Sequence, residues 1–433
     1  MRLSRHEWDG RDPAALAQRL RSAVSAPAEL SGEVAETIAR VRAGGDAALI
    51  ELSERFDGVR PSSLRVDPAL SAGALAGLEP ELRESLELAA ANIGAVAEAQ
   101  LEDGSAEIDV NLAQGQRVKQ RRLAVGAAGI YAPGGRAAYP SSVLMCAIPA
   151  RAAGVTRLAL ASPPGEDGLP QPLILAAAAL CGIDEVYAAG GAQAIAALAL
   201  GTETIAAVDV VAGPGNRYVA EAKRQLAGTV GIDSLAGPSE LMAILGDDAD
   251  LDWAALDICA QAEHGGESPL IACAVEAELL ERLEQAVTRI AAQRPSVAEA
   301  ELALVQAPDT DAAIELANAF APEHLQLMCA DAELLAKRVR SAGCVFCGNE
   351  AATAFGDYVA GSNHVLPTAG AGRFSGPLGP ATFQRRMALV SLPAAAARSL
   401  APHVERLARA EGFPVHGESA SARSGAREDE SGS

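Results

Sequence analysis

Two short runs set metal-ligating side chains among glycines where a packed core would use leucines: Gln261-Ala262-Glu263-His264-Gly265 and Gly356-Asp357-Tyr358-Val359-Ala360-Gly361-Ser362-Asn363-His364. The segment from Asp252 to Ala262 reads as helix, so a spacing of three puts Gln261 and His264 on one face, where they could grip one ion. Imidazole nitrogen and amide oxygen suit Zn2+ or a similar divalent metal, and Asp357 supplies the negative charge that the pair lacks. Four-coordination requires a further residue, which neither run names. Taken alone, the first run also reads as a solvated helix end with a capping histidine.

A second chemistry stands in Ala321-Pro322-Glu323-His324-Leu325, just before an apolar run. An adjacent carboxylate and imidazole, held by a proline, can serve as two proton-transfer groups around one reacting carbon. None of the seven cysteines is framed as a nucleophile. Cys146, Cys181, Cys259, Cys273 and Cys329 sit in apolar contexts, as small buried hydrophobes of a reducing compartment do. Cys344-Val345-Phe346-Cys347 lies in a predicted strand with no second pair, so it reads as structural.

The elements that must position these groups are α/β. Residues 1 to about 105 read mainly helical, with Leu78, Leu82, Leu86, Ala89 and Ile93 forming an apolar stripe. From about 120 to 238, short apolar runs closed by Gly or Pro (Val125 to Gly135, Thr156 to Pro164, Glu185 to Gly191, Asp209 to Gly215) alternate with helical stretches (Leu173 to Cys181, Ala192 to Leu200, Arg217 to Leu226). Strand then helix, repeated, means parallel strands with crossover helices. A second series follows at Leu241 to Leu245, Leu270 to Val275, Leu302 to Val305, Leu325 to Cys329 and Gly343 to Cys347, with helix at Glu276 to Gln293. The fold class expected is therefore α/β, with two Rossmann-like units of parallel sheet plus helical N-terminal and C-terminal segments.

Ligands of open α/β sheets sit at the carboxyl ends of the strands. That makes Ile130-Tyr131-Ala132-Pro133-Gly134-Gly135, Gly190-Gly191-Ala192-Gln193 and Gly213-Pro214-Gly215-Asn216 the candidate dinucleotide site. Their glycines let backbone amides approach a pyrophosphate, while Tyr131, Gln193 and Asn216 offer stacking and hydrogen bonds. No G-x-G-x-x-G follows the first strand, so the ordinary Rossmann fingerprint is absent.

The chain has 433 residues, 49% hydrophobic with 3% aromatic, enough for a large core and two or more domains. Its 35 Lys and Arg against 56 Asp and Glu give a net charge of −21, which argues against a nucleic-acid or anionic-membrane partner. The first residues, MRLSRHEWD, lack the apolar stretch of a signal peptide, and no run has the length of a membrane helix, so a cytoplasmic location is expected.

With these runs in hand, the chain from roughly Glu33 to His416 resembles the histidinol dehydrogenase family. The resemblance is carried by Gly44-Gly45-Asp46-Ala47-Ala48-Leu49, Gly190 to Leu200, Ala212-Gly213-Pro214-Gly215-Asn216, Glu221-Ala222-Lys223-Arg224-Gln225, Ala236-Gly237-Pro238-Ser239-Glu240, Gln261 to Gly265, Pro322 to Leu325 and Asn363-His364-Val365-Leu366-Pro367-Thr368, in one order. It implies oxidation of L-histidinol to L-histidine through bound L-histidinal, with two NAD+ in succession and one Zn2+ per active site. By motif matching it implies Gln261, His264, Asp357 and His416 as zinc ligands, and Tyr131, Gln193 and Asn216 as NAD contacts. Ser239, Gln261, His264, His324, Asp357, His364, Glu411 and His416 fall on or near its substrate contacts, with Glu323 and His324 catalytic. It further implies a homodimer whose C-terminal segments complete each other's sites.

The domain organisation expected is a helical segment at 1–30; an α/β domain at 31–120 and 239–384 carrying metal and catalytic residues; a Rossmann-like NAD-binding domain at 121–238; a helical C-terminal segment at 385–416; and a disordered tail at 417–433. Two rival classes are a zinc-dependent hydrolase, which has no need of the glycine-rich loops, and a non-catalytic dinucleotide-binding protein, which has no need of Glu323 beside His324.

Overall fold

A computed structural model describes residues 1–23, 30–102, 107–134, 137–235 and 237–424. Gly135, Ala236 and positions 425–433 of the expected tail lie outside the described residues. The chain divides into two compact units, one of residues 1–99 with 125–383 and one of residues 100–124 with 384–433.

The larger unit holds two parallel sheets. The first has five strands in the order Glu185–Ala188, Arg157–Ser162, Ala127–Tyr131, Val210–Ala212 and Gly231–Ile232. The second has six, in the order Arg2–Glu7, Glu301–Gln306, Leu270–Ala274, Leu241–Leu245, His324–Met328 and Cys344–Cys347. The strands Ala127–Tyr131, Leu241–Leu245, Leu270–Ala274 and His324–Met328 are buried along their whole length, as parallel strands covered on both faces must be. With so few aromatic residues, packing rests on small side chains. Helix Gly191–Leu200, five of whose residues are alanines at 192, 194, 196, 197 and 199, is buried almost throughout against the five-stranded sheet.

Two segments depart from the helical reading, and a third from the expected disorder. Arg2–Glu7 is a strand, paired in parallel with Glu301–Gln306. It is the polar edge of its sheet, where one face stays wet and no apolar alternation is needed. Gln384–Ser391, inside the expected C-terminal helical segment, pairs antiparallel with Arg117–Ala124 along all eight residues. In the expected tail, Gly417 to Ser421 continue helix Pro414–Ser421, which packs on helix Ala394–Ala410.

Helix Leu30–Phe56 buries Val34, Ile38, Val41, Leu49 and Leu52 in the core on one face of the five-stranded sheet, where it packs on helices Gly191–Leu200 and Arg217–Leu226, and not in that of the six-stranded one. The stripe Leu86, Ala89 and Ile93 covers that same sheet's other face. An amphipathic stripe specifies that a helix packs, not on which sheet. Among the described residues, no helix is long and apolar enough to cross a membrane.

Candidate active site

Glu323 and His324 open the strand His324–Met328, beside Ser239 and Glu240, which lead into Leu241–Leu245. Helix Leu251–Ala262, begun by an Asp250 side chain that accepts from Asp252 and Trp253, brings Gln261 in its last turn. These residues thus lie at the amino ends of the six-stranded sheet. The strand-end rule anticipates only the other cluster, where Tyr131 ends its strand and the Gly190 and Gly213 loops follow theirs.

His364 ties the first cluster to the helix that follows the Tyr131 loop. Its Nε2 lies 3.1 Å from the Ser142 hydroxyl, on the helix after the Tyr131 loop, and its Nδ1 lies 2.9 Å from the Asp357 carbonyl. A carbonyl only accepts, so Nδ1 carries the proton and Nε2 accepts from Ser142. Burial holds the His364 pKa below the ordinary histidine value, in keeping with a neutral ring. Asn363 is tied to the same helix by donating its amide to the Met145 carbonyl at 2.7 Å.

A polar chain links the metal-type and proton-transfer residues. Gln261 Nε2 donates to Ser239 Oγ at 2.5 Å, and Ser239 Oγ donates to Glu323 Oε2 at 2.5 Å. The Glu240 amide also donates to Glu323 Oε2, at 2.8 Å. Committing its amide nitrogen to Ser239 leaves Gln261 its oxygen as the available ligand atom.

His324, almost fully buried, places Nδ1 3.0 Å from the Glu240 carbonyl and 3.4 Å from Glu323 Oε2. By the same reasoning Nδ1 is protonated. Nε2 makes no hydrogen bond and lies 3.5 Å from Asp357 Oδ1. Burial disfavours the imidazolium, but the Glu323 and Asp357 carboxylates outweigh it and push the His324 pKa up to about 10. Burial likewise raises Asp357, yet His324, His364 and His264 together bring it below the ordinary carboxylate value. His264 itself is exposed, one turn beyond Gln261, and its amide donates to the Gln261 carbonyl at 3.2 Å.

Glu240, absent from the site residues inferred from sequence, is buried among all of these. Its carboxylate accepts from the Glu323 amide (3.3 Å), the Ala369 amide (3.1 Å) and the Arg21 guanidinium (3.4 Å). Burial pushes its pKa up to about 7, opposed by Arg21 and assisted by Glu323.

At the glycine-rich loops, Tyr131 is buried and its hydroxyl accepts from the Gly191 amide at 3.1 Å. Gln193 is also buried, and among the described residues its Nε2 has no partner; nor has the Ser162 hydroxyl, at the end of the neighbouring strand. Two orphaned buried polar atoms at strand carboxyl ends are what a polar ligand would satisfy. Asn216 is exposed, its side-chain oxygen capping helix Arg217–Leu226 by accepting from Tyr218 and Val219.

Of the sequence-inferred residues, Ser239, Gln261, Glu323, His324, Asp357 and His364 are thus joined by contacts, and His264 follows Gln261 through its backbone hydrogen bond. Glu411 and His416 belong to the smaller unit, where both are exposed and the His416 ring lies 5.5 Å from that of Phe413. Among the described residues, no three His, Cys, Asp or Glu side chains form a metal-holding group.

A family model described as histidinol dehydrogenase matches residues 20–424. Histidinol dehydrogenase of Ruegeria pomeroyi is 46% identical over 403 residues, which span 91% of this chain and 92% of that protein. The one of Ralstonia nicotianae is 42% identical over 438 residues, 98% of each. The crystal structure of histidinol dehydrogenase from Elizabethkingia anophelis aligns with a TM-score of 0.87 at 31% identity, over 98% of both chains.

Proposed function

The chain belongs to the histidinol dehydrogenase family, NAD-dependent oxidoreductases of histidine biosynthesis, and on that premise we propose how its own residues oxidise L-histidinol to L-histidine. The observation that carries the reading is the contact chain Gln261, Ser239, Glu323, with His324 beside it facing Asp357.

Gln261 oxygen, His264 nitrogen and an Asp357 oxygen form a donor set suited to one Zn2+, with His416 as fourth ligand from a second copy of the chain. Zinc held by these residues would supply a positive charge that orients the substrate and offsets the Asp357 carboxylate, which otherwise favours the His324 imidazolium. NAD+ is held by the glycine-rich loops through Tyr131, Gln193 and Asn216, and supplies the hydride acceptor for each of two oxidations.

His324 Nε2, its ring fixed by the Nδ1 hydrogen bond to Glu240, takes the alcohol proton in the first oxidation. Glu323, oriented by Ser239 and the Glu240 amide, then draws a proton from the water that attacks the aldehyde, giving the hydrate that is oxidised second. His364, held neutral by burial and braced by Ser142, contacts the substrate along with Ser239 and Glu411. A cytoplasmic location accords with seven cysteines that are all unpaired.

The test is a spectrophotometric assay with L-histidinol and NAD+ in which histidine is quantified in parallel. Two NADH per histidine are expected. A steady ratio of one, or free histidinal as the main product, defeats the proposal.

A further inference from the structure

The run Glu221-Ala222-Lys223-Arg224-Gln225 has no part in the reaction above, yet it carries a buried charge at the edge of the proposed dinucleotide site. The Lys223 and Asp233 side chains are 1% and 2% exposed and pair at 2.7 Å. Lys223 Nζ also donates to the Gly213 carbonyl at 2.5 Å, and Asp233 Oδ2 accepts from the Gly213 amide at 2.8 Å. One ion pair therefore grips both peptide groups of Gly213, the first residue of the loop after Val210–Ala212.

Gly213 has φ +122°, and a Cβ there would stand 2.1 Å from the Tyr131 carbonyl, so the loop backbone is pressed onto the neighbouring strand's last residue. Three residues on, Asn216 caps helix Arg217–Leu226, the helix from which Lys223 reaches back. The loop Gly213-Pro214-Gly215-Asn216 is thus tied at one end by the ion pair and at the other by the cap. Desolvating two charges is costly, and an apolar pair of similar volume would hold helix to sheet equally well. What the ion pair adds is a fixed orientation for the Gly213 peptide.

We propose that Lys223 and Asp233 are positioning residues for the dinucleotide: they hold the Gly213–Asn216 loop, and with it Asn216, in the binding conformation before NAD+ arrives. The pair touches no reacting atom. Its effect is to remove an ordering cost from binding. This inference rests on the assignment of that loop to NAD+.

The test uses the full-length, zinc-loaded enzyme and two variants. Lys223→Met/Asp233→Asn removes both charges and so leaves no unpaired buried ion. Asp233→Asn alone keeps an acceptor for the Gly213 amide. The dissociation constant for NAD+ is measured by equilibrium dialysis without histidinol, beside steady-state kinetics and thermal unfolding.

In the double variant, that constant and the KM for NAD+ should rise by about tenfold or more. The KM for histidinol, and kcat at saturating NAD+, should stay within about twofold. A folded double variant with wild-type NAD+ affinity overturns the proposal, as does a loss spread evenly over kcat and both KM values. Should the double variant not fold, Asp233→Asn decides by the same split, and if neither folds the pair is a folding determinant and the proposal falls. Asn216→Ala is measured in parallel: unchanged NAD+ affinity there would remove the loop from the dinucleotide site, a failure of the functional reading and distinct from a failure of the clamp.

Discussion

Glu323 and His324 are adjacent but held by different atoms, and the function proposed for them gives each its own task. Glu323 is aimed by the Ser239 hydroxyl and the Glu240 amide, His324 by the Glu240 carbonyl. Glu323→Gln keeps the shape and loses the basic oxygen. It should slow oxidation of supplied histidinal by about a hundredfold or more, while the first hydride transfer from histidinol changes far less. Single-turnover absorbance at the NADH band separates the two half-reactions, and an equal fall in both would make Glu323 a shared or structural group. The Gln261 and His264 spacing and the Glu-His pair were legible in sequence because each is local. The Ser142 to His364 contact was not, since it joins residues 222 positions apart and a serine at the start of an apolar helix carries no local mark of a partner. Glu240 was hidden for another reason. Its motif was conspicuous, but only the fold shows that its peptide and carboxylate serve both catalytic residues.

Elements with apolar interiors were legible to within a few residues. Helix Arg217–Leu226 and strand Leu241–Leu245 have the bounds that periodicity gives them. The edge strands Arg2–Glu7 and Gln384–Ser391 were not, because they are defined by distant partners and keep a wet face. Periodicity was equally silent on which ends of the second sheet would carry chemistry. There the strands Leu241–Leu245 and His324–Met328 start side by side, joined by the Glu240 carboxylate between Arg21 and Glu323. With a folded-state pKa of about 7 against an ordinary 4.5, Glu240 keeps a proton in the folded protein that the unfolded chain releases above about pH 4.5. Linkage then requires its contribution to stability to be present below that pH and to be lost as pH rises through about 7. The stability of wild type relative to Glu240→Gln should accordingly decline between about pH 5 and pH 8, by an amount on the order of 3 kcal/mol. Urea unfolding of both proteins at the two pH values measures it, and a difference independent of pH would mean that the Glu240 carboxyl is not perturbed.

At the scale of the whole molecule, the ligand set proposed for zinc is incomplete within the larger unit. Gln261, His264 and Asp357 are there, whereas His416 and Glu411 are on the smaller unit, beside exposed Leu407, Phe413 and Val415. A net charge of −21 makes general attraction between copies unfavourable, so a dimer would have to rest on such local apolar and ligand contacts. If the His416 of one copy completes the site of another, the active species is a homodimer with two shared sites. A His416→Asn chain and a Glu323→Gln chain, each nearly inactive alone, should then regain activity when mixed, dissociated and reassembled. In a mixed dimer one site combines an unaltered Glu323 with an unaltered His416, while the other carries both changes. Random pairing makes about half the dimers mixed, so recovery of about a quarter of wild-type activity is expected. Native mass spectrometry verifies the mixed species. Mixed dimers without recovered activity would assign His416 to its own chain's site, and the need for a second copy would disappear with it.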